Sequence, residues 1–296
     1  ATTGPLWTNR APTGLTTKLW GDDAVVVDME DLAYHLCTIA QRAGDKIKEI
    51  RLTFSDEDLK IKGDGSPVTI ADISAHEVII EALSLLRPEW PIVSEEGSSG
   101  GDPLGSDHSF LVDPLDGTKE FIRGNGMYTV NIAVMALRGN GRWEPVLGVV
   151  HAPEFTSTWF GGARVPATLQ NDNGIRRISS GSDRPIPVIV GSVSHSSPKD
   201  REYAEAIGEY VYEGVGSSLK ICRVADGSAD LAPRFGTTSC WDTAAAHAVL
   251  NAAGGCLVDP SGQELDYDIK TEILNPWFLA SSGGLGVDQW KSHQAP

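Results

Sequence analysis

Helical and strand patterns alternate along this chain, and this alternation is the strongest constraint on its fold. Apolar side chains recur at helical spacing from 28 to 50 and from 71 to 86, which predicts two helices. Pro88 lies just beyond the second pattern and cannot continue it. Strands are predicted next in WPIVSEE, HSFLVD, TVNIAVMAL, EPVLGVVH and STWFGG. The chain is therefore predicted to mix α and β structure.

The pattern loosens between residues 161 and 182, and we predict a boundary there. Beyond it come a strand in PVIVGSVSH and helices in REYAEAIGEYV, SSLKICRVAD and WDTAAAHAVLNAAGG, as in α/β units. Residues 1–21 contain no acid and show no periodicity, which favours a flexible extension such as a tag remnant, a disordered arm or a processed leader. We predict an N-terminal α+β domain over 22–165 and a C-terminal α/β domain over 166–296.

Charge and cysteine usage restrict the classes of partner. The net charge of −16 argues against a nucleic-acid or acidic-membrane partner. No apolar run approaches the ~20 residues that a membrane helix needs. The four cysteines form no CxxC pair, so we expect a reducing, cytoplasmic location without disulfides or structural zinc. An organelle, reached after removal of a leader, is the alternative location.

Acidic residues stand where several predicted elements begin or end. They are Asp72, Glu95, Glu96, Asp113, Asp116 and Asp242. If these ends converge, two like charges ~4 Å apart cost about 4 kcal/mol at an effective dielectric constant of 20. Such a cluster persists only with raised pKa values or with bound cations. Because the ligands are oxygen atoms, the pattern predicts Mg²⁺ rather than zinc or copper.

Each acid also has a purely structural interpretation. Asp72 lies three residues after Thr69, which is the spacing of a capping box. Asp242 in a first helical turn suits the helix dipole, and Glu95 and Glu96 suit a solvated loop. These interpretations do not explain why so many elements share an acid at one end.

The stretch DPLDGT, residues 113 to 118, combines two carboxylates with a turn. Asp113 and Asp116 have a spacing that lets one carboxylate bridge two metal ions while the other binds one. Gly117 permits close approach of a phosphate to backbone N–H groups, and Thr118 can bond a water together with Asp72. Covalent chemistry of the D-x-D-G-T phosphatases is excluded, because Pro114 stands where the nucleophile is needed.

Five motifs together resemble the lithium-sensitive, Mg²⁺-dependent phosphatase superfamily, which includes inositol monophosphatases and fructose-1,6-bisphosphatases. They are SPVT with Asp72, SEE (94–96), DPLDGTKEF (113–121), GSSLK (216–220) and WDTAAAHAV (241–249), within a similarity that covers roughly 28 to 282. DPLDGTKEF and the stretch 216–249 resemble the 3′(2′),5′-bisphosphate nucleotidases of the CysQ type. Inositol monophosphatases usually have T-N-F where this chain has Lys119, Glu120 and Phe121.

The resemblance implies a layered αβαβα sandwich and assigns roles to residues. The implied metal ligands are Glu95, Asp113, the carbonyl of Leu115, Asp116 and Asp242. Asp72 and Thr118 are the implied pair that activates water. The implied substrate-binding residues are Gly117, Thr118, Ser194, His195, Ser217, Lys220 and Arg234.

The implied reaction is hydrolysis of the 3′-phosphate of 3′-phosphoadenosine 5′-phosphate, giving AMP, with the phosphosulfate analogue as a second substrate. Two or three Mg²⁺ ions are expected per site, and Li⁺ and Ca²⁺ are expected to inhibit. The protein is expected to be a monomer or a homodimer. The alternative enzyme is an inositol monophosphatase or another sugar-phosphate phosphatase. If the protein is not an enzyme, the alternative is a non-catalytic module that binds divalent metal ions.

Overall fold

The computed structural model describes residues 28–55, 59–61, 67–100, 102, 105–194 and 197–293, so the predicted extension over 1–21 lies outside it. The helices of the described chain are α1 (Met29–Arg51), α2 (Ile70–Leu86), α3 (Thr118–Arg123), α4 (Pro198–Ile207), α5 (Leu219–Ala225), α6 (Cys240–Ala252) and α7 (Val287–His293). The strands of its N-terminal half are β1 (Leu59–Ile61), β2 (Pro67–Thr69), β3 (Ile92–Ser94), β4 (His108–Asp116), β5 (Thr129–Leu137), β6 (Trp143–Ala152), β7 (Ser157–Gly162), β8 (Val165–Asn171) and β9 (Gly174–Arg177). Those of its C-terminal half are β10 (Val188–Ser192), β11 (Val211–Val215), β12 (Leu231–Arg234), β13 (Cys256–Val258) and β14 (Phe278–Ser281).

The first two helices begin at side-chain caps, and the predictions for both are confirmed. Asp28 accepts hydrogen bonds from the backbone N–H groups of Glu30 and Asp31 at 3.0 and 3.2 Å, which satisfies donors at the start of α1. Thr69 and Asp72 form a capping box at the start of α2. Among the described residues, no helix is both long and apolar enough to cross a membrane.

Two large sheets organise the molecule. A seven-stranded sheet has the order β3-β4-β5-β6-β7-β8-β9, in which β3 and β4 are parallel and the other neighbours are antiparallel. A five-stranded sheet has the order β11-β10-β12-β14-β13, in which β10 is parallel to both of its neighbours. Strands β1 and β2 form a separate antiparallel pair.

The layers are stacked as α, β, α, β, α, which confirms the predicted sandwich. Helices α1 and α2 pack on one face of the seven-stranded sheet and bury an apolar core there. Helices α5 and α6 lie between the two sheets, where a second core includes side chains of both. Helices α4 and α7 cover the outer face of the five-stranded sheet around Tyr203 and Trp290. This stacking places the N-terminus of α6 against the end of β4.

Two positions predicted along the chain differ from the observed elements. The boundary predicted between 165 and 166 falls inside the seven-stranded sheet, because β8 and β9 continue it as far as Arg177. The sheets therefore divide the chain between Arg177 and Val188, and the assignment of two domains stays a prediction. The helix predicted over 201–211 ends at Ile207, because Gly208 has φ 109° and Val211 starts β11.

Candidate active site

A β-bulge brings Asp113 and Asp116 to the same side of β4. Asp113 pairs with Asn131 and Asp116 with Thr129, so three steps along β4 correspond to two along β5. In a regular strand, residues three apart point to opposite faces, and one inserted residue reverses that relationship. Carboxylate oxygens of Asp113, Asp116 and Asp242 consequently lie within 4.8 Å of one another.

Asp242 reaches this cluster from the other half of the molecule. Its Oδ2 accepts a hydrogen bond from the backbone N–H of Ser239 at 2.8 Å, which fixes the side chain at the N-terminus of α6. Glu95 follows β3, the parallel neighbour of β4, and lines the same cavity. Three separate segments thus supply the carboxylates, as the positions at element ends predicted.

The electrostatics of the cluster favour a cation. Burial raises the pKa of Asp113 well above its usual range, and the charges of Glu95, Asp116 and Asp242 raise it further. Burial also raises the pKa of Asp242 to about 8, with Asp116 as the next contributor. Carboxyl groups in this situation hold a proton or bind a positive ion. Their all-oxygen donor set fits Mg²⁺ and does not suit zinc or copper.

Asp116 is held in place by donors that the sequence did not predict. Its Oδ2 accepts from the backbone N–H of Ser218 at 2.6 Å and from Nδ2 of Asn131 at 3.3 Å. Burial raises the pKa of Asp116 to about 6, while Lys220 and these donors lower it. Asn131 is a polar residue inside the apolar strand TVNIAV, and that signal was available in the sequence.

Asp72 makes both the helix-capping contacts with Thr69 and the predicted site contact with Thr118. Oδ2 accepts from the N–H and the hydroxyl of Thr69 at 2.7 and 2.6 Å, which completes the capping box. Oδ1 accepts from Oγ1 of Thr118 at 3.1 Å. Burial raises the pKa of Asp72 to about 6, and the charge of Glu96 adds to that effect. A carboxylate with this pKa suits proton transfer near neutral pH.

The turn at Gly117 requires glycine for two reasons. Its φ of 93° is in the left-handed region, which side chains with a Cβ seldom adopt. A Cβ at this position would also lie 3.2 Å from the carbonyl oxygen of Met127 and 3.3 Å from Cβ of Ser217. The turn therefore packs directly against the segment that precedes α5.

A cavity of about 310 Å³ opens over the carboxylates, and most of the predicted site residues line it. These are Glu95, Asp113, Leu115, Asp116, Gly117, Thr118, Ser217, Lys220, Arg234 and Asp242. Asp72 lies behind Thr118, and His195 lies outside the described residues. The wall also contains residues that sequence reasoning missed, namely Lys119, Glu120, Ser192, Ser218, Thr237 and Thr238.

Two cationic side chains face the cavity from the C-terminal half. Lys220 donates from Nζ to the carbonyl oxygen of Ser217 at 2.6 Å, and burial lowers its pKa to about 8 against the opposing effect of Asp116. Arg234 is 8% exposed and donates to the carbonyl oxygen of Thr237 at 3.2 Å. These cations stand close to the carboxylate cluster and make the wall suitable for an anionic group.

Ser194 lies outside the set of residues that line this cavity. Its hydroxyl donates a hydrogen bond to Glu120 and accepts one from Arg123. The predicted substrate-binding role of Ser194 would thus have to be exerted through Glu120.

Comparisons of sequence place these features among known proteins. The profile of the inositol monophosphatase family matches residues 28–294. A 3′(2′),5′-bisphosphate nucleotidase CysQ of Shigella flexneri is 42% identical over 247 residues, which is 83% of this chain and 98% of that protein. The CysQ of Escherichia coli K12 has the same identity and coverage.

Comparisons of structure agree with those of sequence. The crystal structure of CysQ from Bacteroides thetaiotaomicron, described as a bacterial member of the inositol monophosphatase family, superposes with a TM-score of 0.74 at 34% identity. The superposition covers 86% of this chain and 98% of that one. The IMPase of Thermotoga maritima has a TM-score of 0.71 at 22% identity, covering 90% of this chain and 98% of that one, and it shares the fold.

Proposed function

Because the chain belongs to the inositol monophosphatase family, we propose that it is a magnesium-dependent phosphatase that converts 3′-phosphoadenosine 5′-phosphate to AMP and phosphate. One observation carries the proposal: the clustered carboxylates and two buried cations face a single cavity. Relatives at 42% identity are named bisphosphate nucleotidases, which favours a nucleotide with two phosphates over an inositol phosphate. The phosphosulfate analogue is proposed as a second substrate.

The proposed metal ligands are carboxylates together with one backbone carbonyl. They are Glu95, Asp113, the carbonyl oxygen of Leu115, Asp116 and Asp242. When bound there, two or three Mg²⁺ ions would offset the charge of the phosphate and lower the pKa of a water molecule. We expect Li⁺ and Ca²⁺ to inhibit by competing for the same oxygens.

Asp72 and Thr118 are proposed to hold the attacking water. The hydroxyl of Thr118 donates to Oδ1 of Asp72, so its own oxygen lone pairs are available to accept a hydrogen bond from water. The water would pass its proton to Oγ1 of Thr118 as Thr118 passes its own to Oδ1 of Asp72, whose pKa burial raises to about 6. The backbone at Gly117 would bond to the phosphate that is released.

The C-terminal half is proposed to hold the rest of the nucleotide. Lys220 and Arg234 supply positive charge to the 5′-phosphate, and Ser217 supplies a hydroxyl. His195 is proposed to contact the base or the ribose, because the sequence around it resembles that of the family. Ser194 is proposed to act indirectly, through the hydrogen bond that it donates to Glu120.

We propose a cytoplasmic location, in a monomer or homodimer. The four cysteines are free thiols, and Cys37, Cys222 and Cys240 are buried, which suits a reducing compartment. Sedimentation of the purified protein would determine the oligomeric state.

The proposal is tested by measuring phosphate release from 3′-phosphoadenosine 5′-phosphate and from inositol 1-phosphate side by side. Each substrate is incubated with Mg²⁺, with chelator, and with Mg²⁺ plus Li⁺. We expect release from the nucleotide at a kcat/KM at least about tenfold above that for inositol 1-phosphate, abolished by chelator. Preference for inositol 1-phosphate would keep the metal site and overturn the nucleotide assignment. Metal binding without release from either substrate would identify a non-catalytic module.

A further inference from the structure

Glu120 is a carboxylate in the cavity wall that the proposed reaction does not use. It is the third residue of α3 and is only 4% exposed. An acid in the first turn of a helix is ordinarily explained by the helix dipole. In the described chain, however, no side chain caps α3, and the Glu120 carboxylate bonds to a distant segment instead. Its burial needs a different explanation.

The Glu120 carboxylate joins the two halves of the molecule. Ser194, which follows β10 of the five-stranded sheet, donates from Oγ to Oε1 of Glu120. Arg123 donates to the same Ser194 oxygen, and its Nη1 lies 3.9 Å from Oε1 of Glu120. One turn of α3 therefore holds Ser194 between a carboxylate and a guanidinium group.

The same side chain packs against both of the turns that face the cavity. A Cβ on Gly216 would lie 2.8 Å from Cγ of Glu120, and a Cβ on Gly117 would lie 3.4 Å from Oε2. Gly117 belongs to the turn that follows Asp116, and Gly216 opens the GSSLK turn that carries Lys220. The Glu120 side chain therefore packs against both turns, next to the direct approach of Ser217 to Gly117.

We propose that Glu120 is a positioning residue that holds the GSSLK turn and Ser194 against the metal-binding half, and that it thereby sets affinity for the nucleotide. The inference rests on the proposed function, because it assigns the nucleotide to the C-terminal wall. A negative charge is unfavourable beside an anion site, so a carboxylate here needs a compensating benefit. The acceptor that it offers to Ser194 supplies that benefit, and Arg123 offsets the charge.

The test uses Glu120→Ala and Glu120→Gln in the full chain with saturating Mg²⁺. In Glu120→Ala, which lacks the acceptor and the packing, KM for 3′-phosphoadenosine 5′-phosphate should rise about tenfold while kcat stays within about twofold. In Glu120→Gln, which keeps an amide oxygen for Ser194 and nearly the same volume, KM should stay within about threefold of wild type. Rescue by glutamine separates hydrogen bonding from charge.

Ser194→Ala tests the partner side chain. Its KM should rise about fivefold, and Glu120→Ala with Ser194→Ala should be no worse than Glu120→Ala alone, because the two residues act as one unit. The matched control is Ser228→Ala, since Ser228 is exposed and bonds to Arg223 away from the cavity. We expect wild-type KM and kcat for the control.

Three results would overturn the inference: equal KM values for Glu120→Ala and wild type, glutamine as harmful as alanine, or additive effects in the double variant. If thermal unfolding shows that Glu120→Ala does not fold, the KM values of Glu120→Gln and Ser194→Ala still test the inference. A wild-type enzyme without activity on the nucleotide would instead overturn the proposed function, and this inference with it. The two failures are therefore distinguished by the wild-type measurement alone.

Discussion

Thr118 donates a hydrogen bond to Asp72 over 3.1 Å, although the two residues are 46 positions apart in the chain. The other oxygen of Asp72 accepts from Thr69 and so starts α2. One carboxylate therefore serves both the structural and the proposed catalytic purpose. The capping interaction fixes the side chain, and a fixed carboxylate is what orientation of a water molecule requires.

Replacing Asp72 by asparagine should separate these two purposes. Asparagine keeps an acceptor for Thr69 but cannot take a proton, so kcat should fall by about 10²–10³ with little change in Mg²⁺ affinity. The measurement is kcat at saturating Mg²⁺, with thermal unfolding as the check on folding. The matched control is Asp28→Asn, which keeps a good N-cap at α1 and should have wild-type kcat. A fall in kcat of less than about threefold for Asp72→Asn would contradict the assignment.

Asp113→Asn should have opposite effects on activity and on metal-free stability. Burial and the neighbouring carboxylates raise the pKa of Asp113, so its charge is unfavourable without a cation. Asparagine removes that charge and keeps an acceptor for the N–H of Leu115, now 3.0 Å from Asp113. With chelator, the variant should be more stable than wild type.

Added Mg²⁺ should then raise the melting temperature of wild type and have little effect on Asp113→Asn. Phosphate release by the variant should fall by at least about 10². Thermal unfolding with and without Mg²⁺ measures both stabilities. An equal Mg²⁺-induced shift in the two proteins would show that Asp113 is not a ligand.

Much of the fold could be predicted from the sequence because its first two helices bury one face and its central strands are buried on both faces. Helices α1 and α2 have regular apolar stripes, and β4 to β7 are rich in apolar residues. Strand β9 was missed because all four of its residues, Gly174–Arg177, are exposed at the edge of the sheet. Such a strand has no buried face and therefore no hydrophobic alternation.

The site could be predicted as a set of acids but not as a geometry. The bulge between Asp113 and Asp116 is defined by pairing with β5, which no local pattern contains. The backbone of Ser218 donates to Asp116 across 102 positions, and that bond depends on how the two sheets stack. Glu120 was noted only as a mark of family resemblance, because its contact with Ser194 is likewise long-range.

Gly216→Ala should destabilise the protein and disturb the GSSLK turn. A Cβ there would lie 2.6 Å from the carbonyl oxygen of Met127 and 2.8 Å from Cγ of Glu120, so backbone or side chains must shift. We expect a loss of about 1–3 kcal/mol in denaturant unfolding and a raised KM for the nucleotide. Gly139→Ala is the control, since a Cβ there meets nothing within 4 Å. Equal stability of the two variants would refute this account of the packing.

His151 should make stability depend on pH. The ring is 5% exposed, and a Cβ on Gly44 would lie 2.5 Å from its Cδ2, so α1 packs tightly against it. Burial lowers the pKa of His151 from 6.5 to about 4. The unfolded chain therefore binds the proton first, and stability is complete above pH 6.5 and lost as the pH falls towards 4.

The loss attributed to His151 amounts to about 2–3 kcal/mol at the acid end of this range. Denaturant unfolding of wild type and His151→Gln across the range measures it, because the variant should lack this component of the pH dependence. His35→Gln, which changes an exposed histidine, should keep the wild-type profile. Parallel profiles for wild type and His151→Gln would contradict the assignment.

The proposed activity is tested most directly by the product formed from 3′-phosphoadenosine 5′-phosphate as Mg²⁺ is titrated, with wild type and Asp242→Asn compared. We expect AMP as the product, formation that rises with Mg²⁺ and stops with chelator, and a rate about 10² lower in Asp242→Asn. Asparagine keeps the capping acceptor for Ser239, so α6 should still form. Release that persists with chelator, or adenosine 3′-phosphate as the product, would contradict the proposed metal-dependent 3′-phosphatase activity.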